Sequence, residues 1–176
     1  KLKIQWDRGV NDGVSSEQFF ADYRALADTP GLLAEDIGDA IGALDAAEAS
    51  GNLVEATYEM PLLAHATLEP MNCIAQVQGD TCTIWSGTQY QSNDQEVISR
   101  FLGIPQQNVT IHRPLMGGSF GRRSSKTADY TVEAVEAAMG ESVPVQIIWS
   151  REEDIRSGHY RPLFVHKLRG SVDQSG

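Results

Sequence analysis

Eight residues in the middle of the chain, Met116-Gly117-Gly118-Ser119-Phe120-Gly121-Arg122-Arg123, have the make-up of a loop that holds an anionic group. Three glycines in five positions let the backbone approach a ligand with its N–H groups turned outward. From Val97 to Ala128 there are five cationic side chains (Arg100, Arg113, Arg122, Arg123, Lys126) and no carboxylate, in a chain whose net charge is −10. Phe120 stands between glycines, where a large aromatic either plugs the core or packs against a flat ligand. The spacing is neither a Walker A motif nor a G-x-G-x-x-G dinucleotide fingerprint, and the same glycines also suit an ordinary turn. Two further runs could do chemistry. In Trp85-Ser86-Gly87-Thr88-Gln89 the amide of Gln89 offers both a donor and an acceptor, suited to an oxo or hydroxyl group or to capping a following helix. In His65-Ala66-Thr67-Leu68-Glu69-Pro70-Met71-Asn72 a His and a carboxylate four apart could pair as acid and base, although Pro70 argues for an irregular, hydrogen-bonded loop.

The elements that must position these runs follow from periodicity and caps. Lys1 to Trp6 reads as a strand pattern. Ser15 with Gln18 three residues on predicts a capped helix to about Asp28, stopped by Thr29-Pro30-Gly31. A glycine-containing acidic helix is expected over 38–49, closed by Gly51. Alternation over 53–60 predicts a half-buried strand. A hairpin follows, Cys73 to Gln78 and Thr81 to Trp85 about a Gly79-Asp80 turn, with Val77 facing Cys82 and Cys73 facing Ser86. Ser92 to Gln95 is expected to cap a helix reaching Leu102. Val109 to His112 predicts a strand, then come the glycine loop, a helix over 127–139 and a strand over 143–149. Ser150 to Glu153 is a capping box for a short helix, and His159, Tyr160 and Arg161 beyond it could line a cleft. The last strand is expected over about 163–170. The sum is a mixed α+β chain with a boundary near residue 50.

Bulk properties narrow the function. Residues 1 to 60 carry twelve acidic and four basic side chains, which excludes a general nucleic-acid-binding face. No run approaches the length of a membrane span. Cys73 and Cys82 share a face of the hairpin without being opposite partners, which disfavours a disulfide. With no C-x-x-C or H-x-x-x-H spacing, no metal ligand set is assigned. The chain opens inside one strand pattern and stops just after another, so it is expected to be an excised piece of a longer polypeptide.

Taken in order, Tyr58-Glu59-Met60-Pro61, His65 through Asn72, Trp85 through Gln89, Gly117 through Arg123 and Trp149 through Asp154 resemble the xanthine dehydrogenase and aldehyde oxidase family of molybdenum hydroxylases. The branch they resemble is that of the isoquinoline 1-oxidoreductase β subunit and related bacterial aldehyde dehydrogenase large subunits. The resemblance implies a large subunit carrying molybdopterin cytosine dinucleotide with molybdenum, served by a separate [2Fe–2S] small subunit. It implies hydroxylation of an N-heterocycle or oxidation of an aldehyde with water as the oxygen source, and a cytochrome c is one electron acceptor consistent with it. Gln89 is then expected beside the molybdenum oxo ligand, and Gly118, Ser119, Phe120, Gly121 and Arg122 against the cofactor. The family's general base belongs to a later segment and is assigned to no residue here.

Two departures from the family pattern bear on substrate. Purine-oxidising members carry a third glycine, a Gly-Lys pair and a glutamate where this chain has Ser119, Arg122, Arg123 and Ser124, so a purine substrate is not expected. The resemblance also implies that residues 1–50 finish a preceding, hammerhead-like α/β domain and 51–176 begin the molybdopterin-binding domain, inactive as a piece. The rival readings are a phosphate-binding module using the same arginines, and an assembly domain in which the glycine loop is only a turn.

Overall fold

The structure, a computed structural model, describes residues 3–173. Helices and mixed sheets make the chain α+β. It divides into two compact units, one formed by the chain up to Leu63 together with Pro162 onward, the other by Ala64–Arg161. In the first unit Ser15 accepts from Gln18 N–H and starts α1 (Ser16–Ala27). Asp39 likewise caps α2 (Ala40–Ser50), which Gly51 ends in the left-handed conformation. β1 (Val54–Met60) pairs antiparallel with the last strand of the chain, Phe164–Gly170. The composition change near residue 50 therefore falls inside this unit. Of the strand pattern expected at the start, residues 1 and 2 lie outside the described residues, and 3–8 are in no strand. Ile4 and Trp6 are exposed there, so the alternation has no sheet or core to serve.

The second unit holds the core. β2 (Asn72–Gln78) and β3 (Thr81–Trp85) form the expected hairpin, with Val77 opposite Cys82 and the ladder ending at Ile74 and Trp85. The opposition of Cys73 and Ser86 therefore lies past the last ladder pair. Cys73, Ala75, Cys82 and Ile84 point to one side and are buried. Both thiols are free, and burial pushes Cys73 up to about 12 and Cys82 to about 11. From β3 the chain crosses through α3 (Gln91–Leu102) to β4 (Val109–His112), which lies parallel to β3. After the glycine loop come α4 (Asp129–Ala138), β5 (Val145–Ile148) and α5 (Arg151–Arg156), and the closing strand of the first unit is β6. The sheet order is β4-β3-β2-β5.

Two helices cover the buried face. α4 turns Tyr130, Ala134 and Ala138 inward at four-residue spacing, with Thr131 and Val135 beside them. Its alanines let the helix axis approach β2 closely. α3 contributes Ile98, and Gln95 on the same helix donates to the Val109 carbonyl at 2.8 Å. Two helix starts differ from expectation. α3 begins at Gln91 with Tyr90 before it and no side-chain cap. Asn93 is drawn away to the carbonyls of Ser125 and Lys126 (3.3 Å each). α4 begins at Asp129 because Ala128 is left-handed (φ 49°).

Ile84 is fully buried at the centre of this core. Ile84→Ala is expected to destabilise the chain by about 2–5 kcal/mol, while exposed Leu68→Ala changes stability by less than about 0.5 kcal/mol. Urea unfolding of the three proteins checks the contrast.

Candidate functional site

The parallel pair β3 and β4 brings two of the chemistry-bearing runs together. Both strands end at the same edge, Trp85 opposite His112, with their rings stacked at 5.4 Å and the Ser86 N–H donating to the His112 carbonyl at 3.1 Å. The Gly87–Gln89 turn leaves from the end of β3, and the glycine loop leaves from the end of β4. Ligand sites in sheets with parallel strands form at such carboxyl ends. Gln89, four positions past β3, thereby meets Ser119, 30 residues further on.

Arg123 ties these turns to the third run. Its side chain is 0% exposed. The Nε donates to the Gly118 carbonyl at 3.1 Å and Nη2 to the carbonyls of Glu69 (3.2 Å) and Pro70 (3.4 Å), with the Glu69 carboxylate at 3.3 Å. The Arg123 carbonyl accepts from Gln89 N–H at 2.9 Å, and its own N–H donates to Ser119 Oγ at 3.1 Å. One buried guanidinium and its peptide therefore fasten the 65–72 loop, the Gln89 turn and the glycine loop together.

Glu69 completes the fastening. Its carboxylate accepts from Gly117 N–H and Asn72 Nδ2, while its own N–H donates to the Gly117 carbonyl at 3.1 Å. A Cβ on Gly117 would stand 2.5 Å from Glu69 Cβ, so only glycine permits this approach. Burial alone would raise the Glu69 carboxyl. Hydrogen bonds from Asn72 and Gly117 and the charge of Arg123 outweigh it and hold the group below the usual carboxylate range. Glu69 is thus a clamp on the glycine loop and not the acid–base partner of His65.

Arg122 is buried as well, its two terminal nitrogens on the Asp129 carboxylate at 3.1 and 2.6 Å and its plane near the Tyr130 and Trp149 rings. The cations of the sequence window are therefore not a free positive patch. Arg122 pairs with Asp129, Arg123 with Glu69 and Arg100 with Glu96. All three carboxylates lie outside the Val97–Ala128 run in which none was found. Among the described residues, Arg113 and Lys126 alone of the five have no ion pair.

What the clamp leaves open is the loop tip. Among the described residues the N–H groups of Gly118, Ser119, Phe120 and Gly121 find no acceptor, a run of four consecutive free donors. Phe120 is 73% exposed and held at φ 53°, a left-handed conformation that is unusual for a bulky residue. It does not plug the core. Gly121 follows at φ 97°. The sequence profile of the molybdopterin cofactor-binding domain matches residues 27–176, with this loop inside the match.

The chain belongs to this family. The molybdopterin cofactor-binding domain described here is 30% identical over 135 residues to the isoquinoline 1-oxidoreductase subunit beta of Brevundimonas diminuta, covering 75% of this chain and 17% of that protein. It is 30% identical over 149 residues to the aldehyde oxidoreductase molybdenum-binding subunit PaoC of Escherichia coli, covering 85% of this chain and 19% of that subunit. In fold it is similar to quinoline 2-oxidoreductase from Pseudomonas putida 86, with a TM-score of 0.59, 18% identity, and coverage of 69% of this chain and 16% of that one. The chain thus spans less than a fifth of the length of these relatives.

Behind the loop of this domain lies a cavity of about 240 Å³ lined by His65, Gly121, Arg122, Ser124, Ser125, Lys126 and His159. Of the three residues that could line a cleft after the capping box, His159 lines this cavity and Tyr160 and Arg161 do not, and Ser150 does accept from Glu153 N–H at 3.2 Å. His65 lies below its ordinary pKa because of burial and the nearby charges of Arg122 and Arg161, against a raising contact with the His159 backbone and the charge of Asp154. Its Nδ1 is buried without a partner. Sequence reasoning missed the role of Glu69 and the burial of both arginines. Their partners lie far away or one turn outside the motif, and no local signal marks such pairs.

The clamp carries a pH signature. Because the folded-state pKa of Glu69 is lowered, its stabilisation is fully present above the ordinary glutamate value and is lost as pH falls through the lowered one. Glu69→Gln should be less stable than wild type at about pH 7, and the gap should narrow as the pH is taken below the ordinary glutamate range. Urea midpoints measured across that range check it, and a gap independent of pH would assign the loss to packing instead of charge.

Proposed function

We propose that this chain is part of the molybdenum-cofactor-binding subunit of an oxidoreductase that hydroxylates N-heterocycles or oxidises aldehydes with water as the oxygen source. The observation that carries the reading is the loop tip, four successive free N–H donors with an exposed, strained aromatic among them. Such a tip fits a flat organic cofactor bearing oxo and phosphate oxygens, since the donors suit oxygen acceptors and Phe120 offers a face for contact. The family match and the resemblance of five runs in order support the same cofactor class.

In this reading Gly118, Ser119, Phe120 and Gly121 hold the cofactor through backbone donors and ring contact, and Arg122 supports them from below by its buried pair with Asp129. Gln89 offers its side-chain amide to the molybdenum oxo ligand. Molybdopterin cytosine dinucleotide, held there, would supply the two-electron chemistry, and a [2Fe–2S] subunit with an acceptor such as a cytochrome c would take the electrons onward. The general base belongs to the remainder of the subunit, so this piece alone is inactive. Ser124, where purine-oxidising relatives carry glutamate, argues against a purine substrate.

The rival reading, a phosphate module built on Arg122 and Arg123, loses its main support because both guanidinium groups are engaged by carboxylates and carbonyls inside the fold. The assembly-domain reading leaves the exposed Phe120 at positive φ without a reason.

The test is the molybdenum and pterin content of the full-length subunit purified from its host, wild type beside Phe120→Ala and Gln89→Ala. Stoichiometric molybdenum is expected in the wild type, with reduced cofactor retention in Phe120→Ala and reduced turnover in Gln89→Ala at unchanged thermal stability. A wild-type subunit with neither molybdenum nor pterin would overturn the reading.

A further inference from the structure

Gln89 is exposed, and its side chain makes one hydrogen bond within the protein: Oε1 accepts from Ser119 Oγ. Ser119 is 6% exposed, and the same Oγ accepts from Arg123 N–H at 3.1 Å. The Ser119 hydroxyl gives its single proton to Gln89 Oε1 while one of its lone pairs takes the Arg123 N–H. The sense of the Gln89 amide follows. Its carbonyl is turned into the loop on Ser119, and its NH2 faces outward with no acceptor among the described residues. Its backbone is fixed by the same frame, Gln89 N–H donating to the Arg123 carbonyl at 2.9 Å.

We propose that Ser119 is a positioning residue that locks the Gln89 amide with its NH2 outward, so that the site offers a donor, and not an acceptor, to the group beside it. The inference rests on the proposed cofactor reading for what that group is, an oxygen acceptor on the cofactor or substrate. The locking itself rests only on the bonds between Arg123, Ser119 and Gln89. An alanine or glycine at 119 would leave the amide free to turn over and present its carbonyl, which repels an oxo or carbonyl oxygen.

The test uses the full-length subunit with Ser119→Ala, Ser119→Thr, Gln89→Ala and the double variant Ser119→Ala/Gln89→Ala. Removing the hydroxyl deletes its bond to Gln89 and the one it accepts from Arg123 N–H, and through the loss of the Gln89 bond kcat is expected to fall roughly 10-fold with KM within about twofold. Ser119→Thr, which keeps the hydroxyl, should recover most of the loss. Because Ser119 acts through Gln89, Ser119→Ala should add nothing in the Gln89→Ala background. Crystal structures of Ser119→Ala and Ser119→Thr should show the Gln89 side chain disordered or reversed in the first and ordered as here in the second. An ordered, unreversed Gln89 in Ser119→Ala, or losses that multiply in the double variant, would overturn the proposal. If the wild type holds no cofactor, the functional reading fails, while the crystallographic comparison still decides the locking.

Discussion

Everything at this site depends on the complete burial of the Arg123 guanidinium. A cation removed from water needs acceptors, and here they come from two separate stretches: the Gly118 carbonyl of the glycine loop, and the Glu69 and Pro70 carbonyls with the Glu69 carboxylate of the 65–72 loop. The acceptors cannot be supplied unless these two loops converge, and the Arg123 peptide carbonyl adds the Gln89 turn by accepting from its N–H. The convergence in turn brings Glu69 against Gly117 so closely that a side chain there is excluded, and sets Ser119 between Arg123 and Gln89. A charge used in this way specifies a loop arrangement rather than attracting a ligand.

The rest of the fold prepares that convergence. The α3 crossover makes β3 and β4 parallel, so the turns that follow them leave from one edge. The tight packing of α4 against β2, permitted by Ala134 and Ala138, places Tyr130 and Asp129 to receive the two arginines. The base of the glycine loop is thus rigid and electrically neutral. Its tip keeps the features that a ligand can use, free backbone donors and an aromatic held at positive φ, and their strain is sustained by the anchored base.

The sequence carried the local features well. The hairpin register of Val77 and Cys82, the caps at Ser15 and Ser150 and the stop at Gly51 were all legible, because each depends on residues within a few positions of one another. The features that failed are those in which a distant partner prevails. Ser92 does not cap α3, since the start of that helix is held by Asn93 reaching residues more than 30 positions away. The alternation after Lys3 forms no strand, since no partner strand meets it. The cationic window read as an exposed anion site because its neutralising carboxylates, Glu69 and Asp129, lie outside it. The motif residues Gln89 and Ser119 were legible as candidates, whereas their bond was not, since only the parallel pairing of β3 and β4 brings them together.

The central claim is that the clamped loop presents Phe120 and the adjoining free N–H groups to a bound cofactor. The most direct measurement is an experimental structure of the full-length subunit isolated with the group it naturally retains. The account predicts the pterin end of that group against Phe120 and Gly121, within hydrogen-bonding reach of the Gly118–Gly121 amides, with Arg123 still seated on Glu69 and Gly118. A cofactor bound elsewhere, with the 118–121 amides facing only solvent, would contradict it.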